Sequence, residues 1–274
     1  METVKAKETP RFGLLLKQWR QIRGKSQLDL ALDASVSARH ISFIESGRSL
    51  PSKEMIVTLA TALNIPLREQ NVLLNSAGFA ALYGESKFDS DELRESRRAL
   101  ELILTKHEPY PAVVLNRQWD IISGNQAAQS FFGFLLDTEP APNEQNVLRL
   151  MFKQSLARKY VSNWPDVAQA LIARTYREAL GGVPDLTTMA ILSEVLSYPG
   201  VPENLRTPDL SKPLAPLVPV IFEKGNLRFN FSSLVTTLGT PQDVTLQELR
   251  VECFYPLDET TEKSMESYRR NASA

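Results

Sequence analysis

Arg39, His40, Ser42 and Phe43 lie together on a short polar segment, and their side chains are of the types that contact base edges. Arg39 and Phe43 are four residues apart, which places them on one face of a helix. An arginine there can donate two hydrogen bonds to a guanine, and a phenylalanine can contact a thymine methyl group. His40 and Ser42 flank this pair and can bond to bases or phosphates. The segment therefore has the composition of a nucleic-acid-reading surface.

The first 80 residues contain five short amphipathic segments, which predict five helices. Ser26 and Ser37 are expected to cap the second and third helices, and Gly24 is expected to end the first. A link of about three residues joins the second helix to the third, which is the geometry of a helix-turn-helix. The third helix would bury only Ile41 and Ile44, so most of its surface is left for a partner.

The stretch "SQLDLALDASVSARHISFIESGRSLPS" resembles the helix-turn-helix of phage-repressor-like (XRE family) transcription factors. The matching features are Gln27, Leu30-Ala31, Val36-Ser37, Ile41, Ile44-Glu45, and Gly47-Arg48 with Pro51. The resemblance implies that the third helix enters the major groove of double-stranded DNA. The residues expected at the DNA are Gln27, Ser37, Ala38, Arg39, His40, Ser42, Phe43 and Arg48. Ser35 departs from the family, which often has glycine at this turn position.

The charge is distributed unevenly along a chain whose net charge is only −1. Residues 1–80 contain 11 Lys and Arg against 7 Asp and Glu, whereas the remaining residues contain 20 against 25. A polyanion would therefore bind at the N-terminal part. The cations expected to contact phosphates are Arg11, Lys17, Arg20, Arg23, Lys25 and Arg48.

The remainder of the chain predicts a second, α+β domain. Residues 1–84 are assigned to an all-α five-helix domain, residues 85–108 to a linker helix, and residues 109–274 to a domain with a small antiparallel sheet. Ala112–Leu115 and Trp119–Ser123 are predicted strands joined by a hairpin turn, and Asn125 caps a following helix. Strand, turn, strand and helix in this order resemble the start of a PAS-like sensor domain.

Four motifs in this region resemble the MmyB-like ligand-binding domain of bacterial regulators. In chain order they are "HEPYPAVVLNRQWDIISGN", "NVLRLMF", "SYPGVPE" and "LGTPQDVTLQELRVECFYPLDETT". With the N-terminal motif, the resemblance covers roughly residues 10–268. It implies a PAS-like fold that senses a small molecule, and it does not name that molecule.

Alternating residues on two long strands predict an apolar inner sheet face covered by helices. The candidate ligand-binding residues are Trp119, Met151, Phe152, Tyr160, Trp164, Leu171, Leu227, Phe229, Phe231 and Val251. Arg228 and Arg250 are expected on the opposite face, so the pocket is predicted to hold no cation. Such a pocket would take a fatty acid or another apolar ligand, and a fully packed core without a cavity is the open alternative.

The second domain lacks a histidine for a catalytic or metal site. His40 and His107 are the only histidines and both precede that domain, so no nucleophile–histidine pair or histidine-metal site is expected there. Cys253 is the single cysteine, which excludes a disulfide within the chain and indicates a core residue. Ala77-Gly78 is also the type of bond that self-cleaving repressors cut. Gly78 is explained instead as the residue that ends a helix, so self-cleavage is the less favoured alternative.

The sequence therefore predicts a regulator and not an enzyme, with no cofactor. The absence of an 18-residue apolar run and of an apolar signal core favours a cytoplasmic protein without a membrane partner. A homodimer is expected, with two half-sites on the DNA. The alternative is a ligand-independent dimeric controller that acts through its abundance alone.

Overall fold

The computed structural model describes residues 11–136, 144–180, 185–207 and 217–272. The chain divides into two units. Of the described residues, 11–85 and 241–247 belong to the N-terminal unit, and the rest belong to the C-terminal unit. The helix assigned to a linker, Arg94–Lys106, lies in the C-terminal unit.

Residues 11–85 of the N-terminal unit form five α-helices, as the periodicity predicts. They are α1 Arg11–Ile22, α2 Gln27–Asp33, α3 Ala38–Glu45, α4 Lys53–Ala62 and α5 Leu67–Ser76. Leu16, Trp19, Leu30 and Ile41 are almost fully buried at the centre of this unit. Burial of these side chains provides the main stabilisation, since helices of 7 to 12 residues are marginal on their own.

Local capping sets where α2 and α3 begin. The backbone amide of Asp29 donates to Ser26 Oγ at 3.1 Å, and the amide of Ser26 donates to Asp29 Oδ2 at 2.8 Å, which completes a capping box. Ser37 Oγ accepts from the amide of His40 at 3.2 Å and caps α3. The predicted caps are thus confirmed, and they fix the start of the helix that carries Arg39.

Ser35, in the turn between α2 and α3, has a φ of 55°. This left-handed conformation costs a non-glycine residue about 1 kcal/mol. We expect Ser35→Gly to raise the free energy of unfolding by about that amount, because glycine adopts this φ without strain. Chemical denaturation measures the change, and Ser35→Ala is the control because it retains the Cβ. Equal stabilities of all three proteins would show that the turn is unstrained.

The C-terminal unit is built on a five-stranded antiparallel sheet with the order β2-β1-β5-β4-β3. The strands are β1 Ala112–Leu115, β2 Ile121–Gly124, β3 Val220–Lys224, β4 Leu227–Thr237 and β5 Arg250–Pro256. The predicted second strand begins two residues later than expected, because Trp119 lies in the turn with a φ of 69°. The α+β class with a small antiparallel sheet is confirmed.

Helices cover this sheet. They are α6 Arg94–Lys106, α7 Gln126–Leu136, α8 Val147–Phe152, α9 Trp164–Leu180, α10 Leu186–Leu196 and α12 Glu259–Ala272, while the short α11, Val244–Glu248, lies between β4 and β5. The inner sheet face packs in one apolar cluster with side chains of α7, α8, α9 and α10. The opposite face is buried as well, since Val114, Val251 and Cys253 are each less than 9% exposed.

The connection between β4 and β5 enters the N-terminal unit. Residues 241–247 belong to that unit, although β4 and β5 belong to the other. Gly84 and Asp243 form a parallel bridge, and the amide of Val244 donates to Gly84 O at 2.8 Å. The amide of Leu67, the first residue of α5, donates to Gln247 Oε1 at 2.7 Å. Two sheet strands are thus tied covalently to a segment of the helical unit.

Candidate DNA-binding helix and ligand cavity

Helix α3 exposes the residues that the sequence assigns to base contacts. Ile41 and Ile44 are buried, whereas Arg39 is exposed and Phe43 is half-buried. The guanidinium of Arg39 lies 5.1 Å from the centre of the Phe43 ring, and that of Arg48 lies 5.7 Å from it. Phe43 therefore stands between two cations, and cation–π attraction holds both beside it. Arg39 and Phe43 share one face, as their spacing predicts.

The other candidates at the DNA differ in their surroundings. Ser37 is exposed, and Ala38, His40 and Ser42 are half-buried. Gln27 Nε2 donates to Glu45 Oε2 at 2.8 Å, so this amide bonds to α3 in the structure.

A buried ion pair that the sequence did not reveal ties α1 to α3. Arg20 Nε donates to Glu45 Oε1 at 2.6 Å, and Arg20 Nη2 donates to Glu45 Oε2 at 2.9 Å. This hydrogen-bonded pair raises the pKa of Arg20. A Cβ added to Gly13 in α1 would lie 2.5 Å from Glu45 O, so the two helix backbones are nearly in contact. Together these contacts fix the orientation of α3.

Three cations of the expected phosphate-binding patch are bonded to other groups of the protein. Arg20 pairs with Glu45, Arg23 donates to Leu63 O at 2.8 Å, and Lys25 Nζ bonds to Asp33 Oδ2 at 2.5 Å. These three cations must therefore leave their protein partners, or share them, to contact a phosphate, so their assignment stays a prediction. Arg11, Lys17 and Arg48 are exposed, as a phosphate contact requires.

A cavity of about 400 Å³ lies within the C-terminal unit, between the inner sheet face and the helices. Ligand pockets commonly have volumes of about 300–1,000 Å³. Apolar side chains form most of its wall, among them Val113, Ile121, Phe132, Val147, Leu150, Met151, Val167, Leu171, Val220, Phe222 and Phe254. The cavity therefore offers an apolar site large enough for a small molecule.

The cavity wall changes from apolar to charged along α9. Val167 and Leu171 line it in the N-terminal half of this helix, and Arg174, Arg177 and Glu178 line it in the C-terminal half. These positions recur at intervals of three and four residues, so one helix face runs from apolar to charged. The prediction of a pocket without a cation is wrong, because the sequence did not show that this charged turn reaches the wall.

Arg250 also lies at the charged end. Its Nη1 donates to Glu178 Oε2 at 2.6 Å, and its guanidinium lies 4.0 Å from the centre of the Trp119 ring. Arg174 approaches the same ring at 4.8 Å. Burial lowers the pKa of Arg250, and the charge of Glu178 opposes this effect. The charged end of the cavity therefore consists of arginine and glutamate side chains packed around the Trp119 ring.

Arg250 is on the inner face of β5, which the alternation rule placed on the outside. The register pairs Ser233 with Phe254 and Val113 with Glu252, so β5 turns its even-numbered residues toward the cavity. Val251 lies on the opposite face and cannot line the cavity. The physical reason is that Arg250 through Cys253 are all buried, so polarity does not distinguish the two faces of this strand.

Only some of the other candidate ligand-binding residues line the cavity. Met151 and Leu171 line the cavity. Tyr160 is half-buried beside the core, and Leu227 is 41% exposed at the start of β4. The remaining candidates are buried in the core: Trp119, Phe152, Trp164, Phe229 and Phe231.

The two phenylalanines of β4 are in the core because α7 fills the space in front of them. The Phe131 ring lies 5.2 Å from that of Phe229 and 5.5 Å from that of Phe231, both in edge-to-face geometry. Ser233, the next residue on the same face, reaches the cavity instead.

Cys253 is buried, and burial raises the pKa of its thiol. A raised pKa lowers the fraction of reactive thiolate, which supports its interpretation as a core residue. The described ranges contain no group of three His, Cys, Asp or Glu side chains that could hold a metal ion. Within the same ranges, no helix is long and apolar enough to cross a membrane.

Comparison with protein families decides the class. The model of the MmyB-like transcription regulator ligand binding domain matches residues 96–267, more than half of the chain, and a helix-turn-helix model matches residues 16–70. The chain belongs to the MmyB-like transcription regulator family. This MmyB-like regulator has a DNA-binding helix-turn-helix followed by a ligand-binding domain, and its two domains indicate a regulator and not an enzyme family.

Other comparisons add little to this assignment. No curated protein matches the chain. A solved structure described as an RNA-binding light-oxygen-voltage receptor is similar with 10% identity and a TM-score of 0.28. The alignment covers 97% of this chain and 64% of that one.

Proposed function

We propose that this regulator binds an operator through α3 and changes its DNA affinity when an acyl amphiphile occupies the cavity of its C-terminal unit. The observation that supports the proposal is an apolar cavity of about 400 Å³ with a charged end. A homodimer would place two α3 helices in successive major grooves, with half-site centres about 34 Å apart.

The cavity wall supports an acyl chain as the ligand. The wall beside the apolar half of α9 is mostly apolar, which suits an acyl chain. Each buried methylene contributes about 0.8 kcal/mol. Dodecanoate has about ten methylenes, which contribute roughly 8 kcal/mol before ordering costs. Arg174 and Arg177 line the charged end and can donate to its carboxylate.

Native mass spectrometry of the purified chain tests the ligand directly. The proposal predicts an adduct with the mass of a fatty acid, which dodecanoate displaces. A delipidated protein that binds no dodecanoate at about 100 μM, a concentration far above a micromolar Kd, would favour the alternative of a controller that acts through abundance alone.

The β4–β5 connection offers a route from ligand to DNA. Phe254 and Glu252 of β5 and Ser233 of β4 line the cavity, and residues 241–247 between these strands belong to the N-terminal unit. A ligand that shifts either strand therefore acts on a segment bonded to the start of α5. Coupling energies between such sites are typically about 1–3 kcal/mol.

Salt dependence tests which cations reach phosphates. With only Arg11, Lys17 and Arg48 in contact, the affinity per DNA-binding unit should fall about 40-fold between about 50 and 200 mM salt. Contacts from all six cations of the original patch would give a fall of about 2,000-fold. Fluorescence anisotropy with operator DNA at several salt concentrations measures how steeply the logarithm of the affinity falls with the logarithm of the salt concentration. Arg48→Gln should reduce this slope by the contribution of about one phosphate contact. A fall near the larger value would show that Arg20, Arg23 and Lys25 leave their internal partners on binding.

A further inference from the structure

Glu252 is a buried acid on the wall of the cavity. Its side chain projects from β5 between Arg250 and Phe254, and the residue is 8% exposed. Within the described part of the chain, no hydrogen bond or salt bridge is formed by this carboxylate. The carboxylate faces the cavity, so a ligand that fills the cavity must supply a hydrogen-bond donor or leave the carboxylate desolvated.

The neighbouring charges define what kind of head group fits. Arg174 and Arg177 can donate to an anionic oxygen, whereas the carboxylate oxygens of Glu252 accept hydrogen bonds. With Arg250, which lies at the same end and close enough to Glu252 to feel its charge, this end carries three arginines and two acids, Glu178 and Glu252. A plain carboxylate would gain contacts from the arginines but would leave Glu252 without a donor and repel it.

The position of Glu252 along β5 indicates where the donor lies. Residues on one face of a strand recur about every 7 Å, so Glu252 lies one such step from Arg250 at the charged end and one from Phe254 on the apolar wall. A donor on the acyl chain, a few bonds from the carboxylate, would reach Glu252 while the carboxylate stays at the arginines. A hydroxyl group on the β-carbon of the acid is such a donor.

We infer that Glu252 is a specificity-determining residue that selects a hydroxylated acyl acid over the plain fatty acid. This inference rests on the proposed acyl effector and narrows its chemical class. A protonated amine could also bond to Glu252, but it would be repelled by Arg174 and Arg177, so the hydroxyl is favoured.

Calorimetric titration of the delipidated full-length protein with two probes tests the inference. The probes are dodecanoate and β-hydroxydodecanoate, which differ only in the donor. Wild-type protein should bind the hydroxylated probe about tenfold more tightly, as a hydrogen bond to a charged group allows. In Glu252→Leu the preference for the hydroxylated probe should vanish, because the acceptor of its hydroxyl group is gone. Dodecanoate should bind to this variant at least as tightly as to wild-type protein. Glu223→Leu, which removes an exposed acid of β3, is the matched control and should keep the preference.

A second variant at the same position controls for a loss of folding in Glu252→Leu. Glu252→Gln keeps the shape of the side chain and removes its charge, so the preference should fall to about threefold. Equal binding of both probes to wild-type protein would overturn the inference and leave the proposed function standing. An equal loss of both probes in folded Glu252→Leu would also overturn it, because the residue would then be only part of the wall. If neither probe bound to wild-type protein, the acyl effector and this inference would both fall.

Discussion

Replacement of Glu45 by alanine is expected to lower the free energy of unfolding of the N-terminal unit by about 3–5 kcal/mol. The side chains of Arg20 and Glu45 are only 10% and 4% exposed, and they form two hydrogen bonds. Removal of the acid leaves a buried guanidinium without its counter-charge and also removes the acceptor of Gln27. Denaturant unfolding followed by circular dichroism measures the change.

The matched control replaces both partners at once. Arg20→Met combined with Glu45→Leu should be close to wild type in stability or exceed it, since it removes the desolvation cost together with the attraction. If Glu45→Ala cost less than about 1 kcal/mol, the pair would not hold α1 against α3. The orientation of the DNA-reading helix would then depend on apolar packing alone.

Arg39→Ala is expected to cost about 1–3 kcal/mol of DNA-binding free energy and to relax the preference at one base pair. The guanidinium lies beside the Phe43 ring on the exposed face of α3, where it can bond to a guanine. In vitro selection gives the preferred site of each variant, and anisotropy gives the affinities. Arg39→Lys should also lose the preference, because lysine cannot form the bidentate pair.

Lys17→Ala is the control for this experiment, since an exposed lysine of α1 is expected to contact a phosphate. It should weaken binding to all sequences equally. If Arg39→Ala behaved in the same way and its preferred site stayed unchanged, Arg39 would be a phosphate contact and the assignment to a base would be wrong.

The helix-turn-helix could be predicted from the sequence because its signals are local. Ser26 and Ser37 cap helices that begin one residue later, and Ile41 and Ile44 face inward at helical spacing. Arg20 could not be assigned in the same way, since its exposure depends on Glu45, which is 25 residues distant. An arginine that the sequence pattern assigns to the surface can therefore be buried in an ion pair.

The cavity was harder to predict because its wall combines several elements. Alternation placed Arg250 outside and Val251 inside, and both placements are wrong, since β5 buries residues on both of its faces. Phe229 and Phe231 were assigned to the pocket, but Phe131 from α7 fills the space before them. Arg174 and Glu252 were missed because only the pairing of strands and the position of α9 bring them to one cavity.

The most direct test of a ligand-responsive regulator is the operator affinity of the full-length protein with and without saturating dodecanoate. The account predicts a change of about 5–150-fold in wild-type protein, which corresponds to a coupling of 1–3 kcal/mol. Ala170→Trp, which places an indole in the cavity, should bind DNA but show no response to dodecanoate. An unchanged DNA affinity in wild-type protein that calorimetry shows to be saturated would contradict the account.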